Sequence, residues 1–170
     1  MQNVILAMAS IYLLPGTKVN INRTIRASVN KDLFLKHFEK EIWSLVTDNE
    51  KSGAHCWAFS TNSFSLYNEM SMDDEVLISE ARTGLFNYYG KVLHKQANRG
   101  FGDAQWGVNG NTHWDYIFFL GNITPISLNK TETLQELGYQ ETYKLSGPIR
   151  LRDEKFAKMS DILDKSGIGR

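Results

Sequence analysis

Cysteine is nearly missing from this 170-residue sequence, which has one, Cys56. A lone thiol closes no internal disulfide and leaves a cysteine-based zinc site without ligands, so the chain reads as a protein of a reducing, cytoplasmic setting. No apolar run is long enough to span a bilayer. The most apolar stretch, residues 4–14, is about half that length and lacks the basic flank of a signal peptide, so it reads as a buried strand that ends at Pro15-Gly16. Net charge is missing too. Nineteen basic side chains balance nineteen acidic ones, which argues against a protein that coats nucleic acid indiscriminately. Repeats and low-complexity tracts are absent. The glycines at 100, 102, 107 and 110 have no Lys-Ser/Thr following them, so they form no P-loop. His37, His55, His94 and His113 show no metal-ligand spacing, and neither a metal nor a cofactor is expected.

What is present is a globular composition, 42% hydrophobic and 22% charged, in a chain long enough for one domain with an N-terminal extension. The divisions expected are 1–52, a strand or strands and a helix packed on the main body; 53–150, that body; and 151–170, a C-terminal helix or tail. The charges segregate. Residues 1–31 contain no acid but carry Lys18, Arg23, Arg26 and Lys31, and residues 82–102 contain no acid but carry Arg82, Lys91, His94, Lys95 and Arg99. If the two windows meet in space they form a positive face suited to phosphates, with Arg23, Arg26, Lys91, Lys95 and Arg99 as its candidates.

The pattern predicts an extended segment over 19–29, from Val19, Ile21 and Ile25 at even spacing. Asn30 then caps a helix on which Phe34, Phe38, Ile42 and Leu45 recur at helical spacing, with Trp43 on its core side. Residues 47–53 read as a loop, and Phe64, Leu66, Tyr67 and Met70 as a short helix or turn. The acidic turn at 73–75 feeds the Val76-Leu77-Ile78 strand, which Thr83-Gly84 connects to the Lys91-Val92-Leu93 strand as a hairpin. Two further apolar runs, 116–120 and 123–128, read as strands, and Thr133 to Leu137 as a helix closed by Gly138. About six short strands with two or three helices describe an α+β fold built on a small mixed barrel.

The stretch richest in chemistry is His55-Cys56-Trp57-Ala58-Phe59-Ser60-Thr61-Asn62. An exposed indole beside Ser60 and Asn62 can stack on a flat ring and read its edge, as a protein holding an unstacked base must. A core Trp at a strand end is the alternative. Trp106, among glycines, reads as a loop residue.

The succession of Trp57, Tyr89-Gly90-Lys91-Val92, Gln105-Trp106-Gly107, Trp114-Asp115-Tyr116-Ile117-Phe118-Phe119-Leu120 and Leu137-Gly138-Tyr139 resembles the PUA-like barrel in its EVE and YTH branches. It is especially similar to the N-terminal readers of McrB-type modification-dependent restriction systems. The likeness covers roughly residues 53–150. It implies an aromatic cage for a methylated base: Trp57-Ala58-Phe59-Ser60 resembles one cage strand with one residue inserted, Trp106 stands in the place of a second cage aromatic, and Trp114 competes for that place. Tyr116 is the further aromatic beside Trp114. The function implied is non-catalytic recognition of modified nucleic acid, methylated DNA first, by base flipping, as the specificity module of a restriction or defence system. Its partners would be modified DNA and a nuclease or AAA+ ATPase component on another chain or region, with no membrane.

Two other readings remain. Asp74, Glu80 and Arg82 are a faint match to a nuclease cluster, in which two acids hold a metal and a cation steadies the attacking water. An RNA-binding PUA-like module is the other. His55 and Cys56 cannot pair as base and nucleophile, because neighbours on a strand point to opposite faces.

Overall fold

Strands that are apolar at every position must be covered on both faces, and that requirement organises this molecule. The computed structural model describes residues 9–47 and 53–168. Its strands are β1 (Ile11–Gly16), β2 (His55–Phe59), β3 (Glu75–Glu80), β4 (Leu85–Ala97), β5 (Tyr116–Asn129) and β6 (Ile149–Leu151), joined in one sheet of order β2-β5-β4-β3-β1-β6. β1 runs parallel to β3, and every other pair is antiparallel. The fold is therefore α+β on a mixed sheet, as the sequence predicts, and the sheet curls into a half-barrel. Because β1 lies between β3 and β6, residues before 53 supply an inner strand.

Alternate residues divide between the two faces. Tyr12 and Leu14, Trp57 and Phe59, Val76 and Ile78, and Phe118 and Leu120 meet in one cluster inside the curl. Their neighbours face outward and are covered in two places. Leu13, Leu77, Phe86 and Leu151 lie under α6 (Lys130–Glu136) and α7 (Asp153–Lys165) through Leu134, Met159 and Leu163. Cys56, Ala58, Ile117 and Phe119 lie under α2 (Lys31–His37), α3 (Lys40–Thr47) and α5 (Arg99–Trp106) through Phe34, Val46 and Phe101.

Helices are more numerous than the sequence pattern suggests. Seven occur among the described residues, adding α1 (Lys18–Ile21) and α4 (Phe64–Glu69), and six of the seven have eight residues or fewer. Residues 19–29 are not extended: α1 passes into a π-helical turn, Asn22–Arg26, with the Thr17 side chain capping the start. Ile21 and Ile25 both enter the inner cluster while Val19 is exposed. A separation of four satisfies a period of 3.6 and a period of 2 alike, which is why the pattern misleads. Asn30 does cap α2, accepting from the Leu33 amide at 2.9 Å, but the helix breaks at extended Phe38 and restarts as α3.

The two runs 116–120 and 123–128 form one strand, β5, bent at Gly121-Asn122. Asn122 is left-handed (φ 54°), and a Cβ on Gly121 would lie 2.7 Å from Leu93. Pro15 does not end β1, because β6 pairs only with Ile11, Tyr12 and Leu13 and asks nothing of a residue further on. Residues 4–8 of the first apolar run and 48–52 of the 47–53 loop lie outside the described residues. No helix among the described residues is long and apolar enough to cross a membrane.

Asp74 fixes the entry to β3. Its carboxylate accepts from the Ser10 amide at 2.7 Å and the Ser71 amide at 2.8 Å, tying the turn to the start of β1. Asp74→Ala strands two backbone donors, one of them buried, and is expected to cost about 1–3 kcal/mol in denaturant unfolding. A variant as stable as wild type would show that the turn holds without this side chain.

Candidate functional site

The curl leaves an opening between β1 and β2. In the sheet order β2 and β1 are separated by three strands, yet the Trp57 indole of β2 reaches the end of β1: a Cβ on Gly16 would lie 2.7 Å from its Cη2 and 2.9 Å from its Cζ2. Only a glycine lets the ring lie so close to that backbone. Beside this contact is a cavity of about 340 Å³, bounded by the ends of β1 and β2, Trp106, Trp114 and residues 146–148. That volume falls in the usual range of small-molecule sites, about 300–1,000 Å³.

Trp57, Trp106 and Trp114 all border the cavity. Trp57 is not the exposed residue that a stacking strand suggests. It is 7% exposed, part of the inner cluster, and offers the cavity one edge of a largely buried ring. Trp106 and Trp114 are half-buried. Trp106 is not on a loop but is the last residue of α5, packed edge-on to Phe101 at 6.2 Å, and its carbonyl accepts from the Arg23 guanidinium at 3.2 Å. The glycines that suggest a loop serve a close approach, for a Cβ on Gly102 would fall 2.0 Å from the Trp114 carbonyl oxygen.

Polar contacts hold α5 and the Trp114 segment in register. Asn98 caps α5 through the Phe101 amide (2.9 Å) and donates to the His37 carbonyl (2.8 Å). Arg99 grips Asp115 with two hydrogen bonds, at 3.0 and 2.7 Å. His113 Nδ1 lies 2.9 Å from Asp103. The Arg99 guanidinium holds the Asp115 carboxyl below the usual carboxylate range.

Ser60 lines the cavity, whereas Asn62 is exposed on the turn Thr61–Ser63 and Ser63 borders the cavity instead. Tyr116 turns away, with its ring 4.9 Å from Tyr67 and 5.4 Å from Phe64. Sequence reasoning missed Gly16, Asn20 and Ser146, which complete the wall. Asn20 was hidden by the mistaken extended reading of its segment, and Ser146 carries no local signal.

The two basic windows meet where Arg26 Nε donates to the Tyr88 hydroxyl (2.7 Å). Much of their charge is already matched. Arg26 is ion-paired with Glu80 and Arg99 with Asp115. Lys95 donates to the carbonyls of Tyr67 (2.7 Å) and Asn68 (3.2 Å), and burial lowers its pKa. Lys91 sits mid-β4 opposite Glu75 and Gly121.

The carboxylates of the nuclease reading do not assemble. Asp74 and Glu80 stand at opposite ends of β3, roughly 20 Å apart by strand rise, one bound to backbone amides and the other to Arg26. Burial raises the pKa of Asp74 and, further, of the Cys56 thiol, which lies beneath α2, α3 and α5.

No family model matches the chain, and no curated protein is similar to it in sequence. Among solved structures it is similar to the N-terminal domain of Thermococcus gammatolerans McrB bound to m5C DNA, with TM-score 0.68 and 15% identity over 92% of this chain and 98% of that one. The chain has the PUA-like fold of the McrB N-terminal domain. Within that fold the Trp-lined cavity sits where the half-barrel fails to close.

The Arg99–Asp115 pair gives a pH signature. Asp115 titrates lower in the folded state than in the unfolded chain, so its contribution is complete above the ordinary carboxylate range and is lost as pH falls through the folded value. The melting temperatures of wild type and Asp115→Asn should therefore differ at neutral pH and converge in acid. A difference that persists undiminished in acid would show that the pair's charge is not what stabilises the segment.

Proposed function

We propose that the cavity bordered by Trp57, Trp106 and Trp114 receives one modified base extruded from DNA, and that the chain is a non-catalytic reader of methylated DNA. The observation that carries this reading is the convergence of three indoles from three separate parts of the chain on one opening, with Asn20, Ser60, Ser63 and Ser146 at its polar edges. A methyl group adds little area, so a reader must enclose it in ring faces while pairing the base's polar edge. Extrusion costs a few kcal/mol and is offset by stacking of about 1–3 kcal/mol per aromatic, together with phosphate contacts. The similar McrB domain was solved with m5C DNA, which favours DNA over RNA as the partner. On this reading the cleaving or ATP-driven components of a restriction system lie on another chain or region, and the EVE and YTH likeness extends to how the base is held.

The test is a binding screen over duplexes bearing 5-methylcytosine, 5-hydroxymethylcytosine, 6-methyladenine or no modification, with an RNA of the same sequence alongside. One modified duplex should bind tightest, and no strand should be cut with divalent metal present. Trp106→Ala and Trp114→Ala should each weaken that duplex by about 5- to 150-fold, through removal of one stacking partner. Trp57→Ala is less informative, since truncating a buried indole costs about 3–5 kcal/mol of folding. Equal affinity for all duplexes, or discrimination that survives both substitutions, would remove the cavity from base recognition.

A further inference from the structure

The wall formed by Pro15-Gly16-Thr17 has the Trp cavity on one side and two further depressions on the other. One, of about 440 Å³, shares Pro15 and Gly16 with the cavity and is lined by Ser79, Arg82, Lys130 and Lys144. The other, of about 500 Å³, shares Thr17 with the cavity and Arg82 with its neighbour, and is bordered by Lys18. Together they form a groove that begins at the lip of the cavity.

The cations of this groove contrast with four arginines elsewhere on the surface. Arg26, Arg99, Arg150 and Arg152 are all ion-paired. Lys18, Arg82, Lys130 and Lys144 have no ion pair among the described residues. In the arm lined by Lys130 and Lys144 three cations face one carboxylate, Glu141. In the arm bordered by Lys18 the one acid, Glu80, is held by Arg26. Arg82 is exposed on the tight β3–β4 turn, in the left-handed conformation (φ 69°).

A second observation is independent of charge. Ser79 alternates with Glu80 and so shares the outward face of β3 with Leu77, the face on which Leu134 borders the groove. It is 2% exposed, and its hydroxyl has no hydrogen-bond partner among the described residues. A buried hydroxyl in that condition is a donor without an acceptor, and phosphate oxygens supply acceptors.

We propose that this groove seats phosphodiester groups flanking the extruded base, with Arg82, Lys130 and Lys144 neutralising them, Lys18 continuing the track and the Ser79 hydroxyl donating from the floor. The path of the strand rests on the base-reader reading. The phosphates are thereby assigned to cations other than Arg26, Lys95 and Arg99, whose charges or donors are already engaged.

The experiment uses the full chain carrying Arg82→Gln, Lys130→Gln and Lys144→Gln together, and separately Ser79→Ala. Affinity is measured across a salt series for each duplex of the screen, unmodified DNA included. The triple variant should melt like wild type and bind modified and unmodified duplexes weaker by the same factor, about tenfold or more. Its log affinity against log salt should flatten by about 0.9 for each phosphate that is no longer neutralised. Ser79→Ala should melt no lower than wild type yet bind every duplex several-fold weaker. Wild-type affinity and salt slope in the triple variant would overturn the groove and leave the base reader standing. Weakening confined to the modified duplex would also overturn it, because phosphate contacts carry no base information. If wild type shows no preference among duplexes while the triple variant weakens on all of them, the groove stands and the base reader fails.

Discussion

The contact of the Trp57 indole with Gly16 is the constraint on which the rest depends. Three strands lie between β2 and β1 in the sheet, so a ring on one can touch the backbone of the other only if the sheet curls almost shut. The indole therefore acts as a strut: it is large enough to fill the gap between the approaching strands, and it stops them short of hydrogen bonding. A closed barrel would fill this space with side chains. Here the remaining gap is the cavity, so the residue that limits closure also forms part of the cavity wall. Its burial and its place at the cavity follow from one arrangement.

The two other indoles depend on a different device. Trp106 ends a short helix that is marginal by itself, and Trp114 follows a turn, so neither would keep its place through local propensity. Asn98, the Arg99–Asp115 pair and the close approach of Gly102 to Trp114 bind the helix to the segment entering β5. Charges that look available for a ligand are thus used for positioning. Across the Pro15-Gly16 wall, by contrast, Lys18, Arg82, Lys130 and Lys144 gather around one groove with no ion pair among the described residues.

How much of this the sequence displays depends on whether the signal is local. Most of the strands are legible because each contains a run of apolar residues, whereas β6, three residues with Arg150 at its centre, carries no such signal. Residues 19–29 mislead because Ile21 and Ile25 fit two periods at once, and α5 is obscured by glycines that serve packing. Trp57 stands out as an aromatic beside polar neighbours, Trp106 and Trp114 are singled out by the resemblance to the reader family, and the fold brings all three to one cavity. Gly16, Asn20 and Ser146 become neighbours of the indoles only in three dimensions. The same limit applies to charge. Counting acid-free windows finds Arg26 and Arg99, whose partners Glu80 and Asp115 lie outside those windows, and passes over Lys130 and Lys144, which sit in and beside the acidic part of the chain.

The most direct test labels the four tryptophans with fluorine, at the 5-position of each indole, and follows their resonances as methylated duplex is added. Trp43 serves as the internal reference, since it lies on α3, packs against Phe34 of α2 and does not border the cavity. The expected result is saturable shifts at Trp57, Trp106 and Trp114 with Trp43 unmoved, and weaker shifts with unmodified duplex. Binding that leaves the three cavity resonances in place would contradict the account, because no base could then be seated among them.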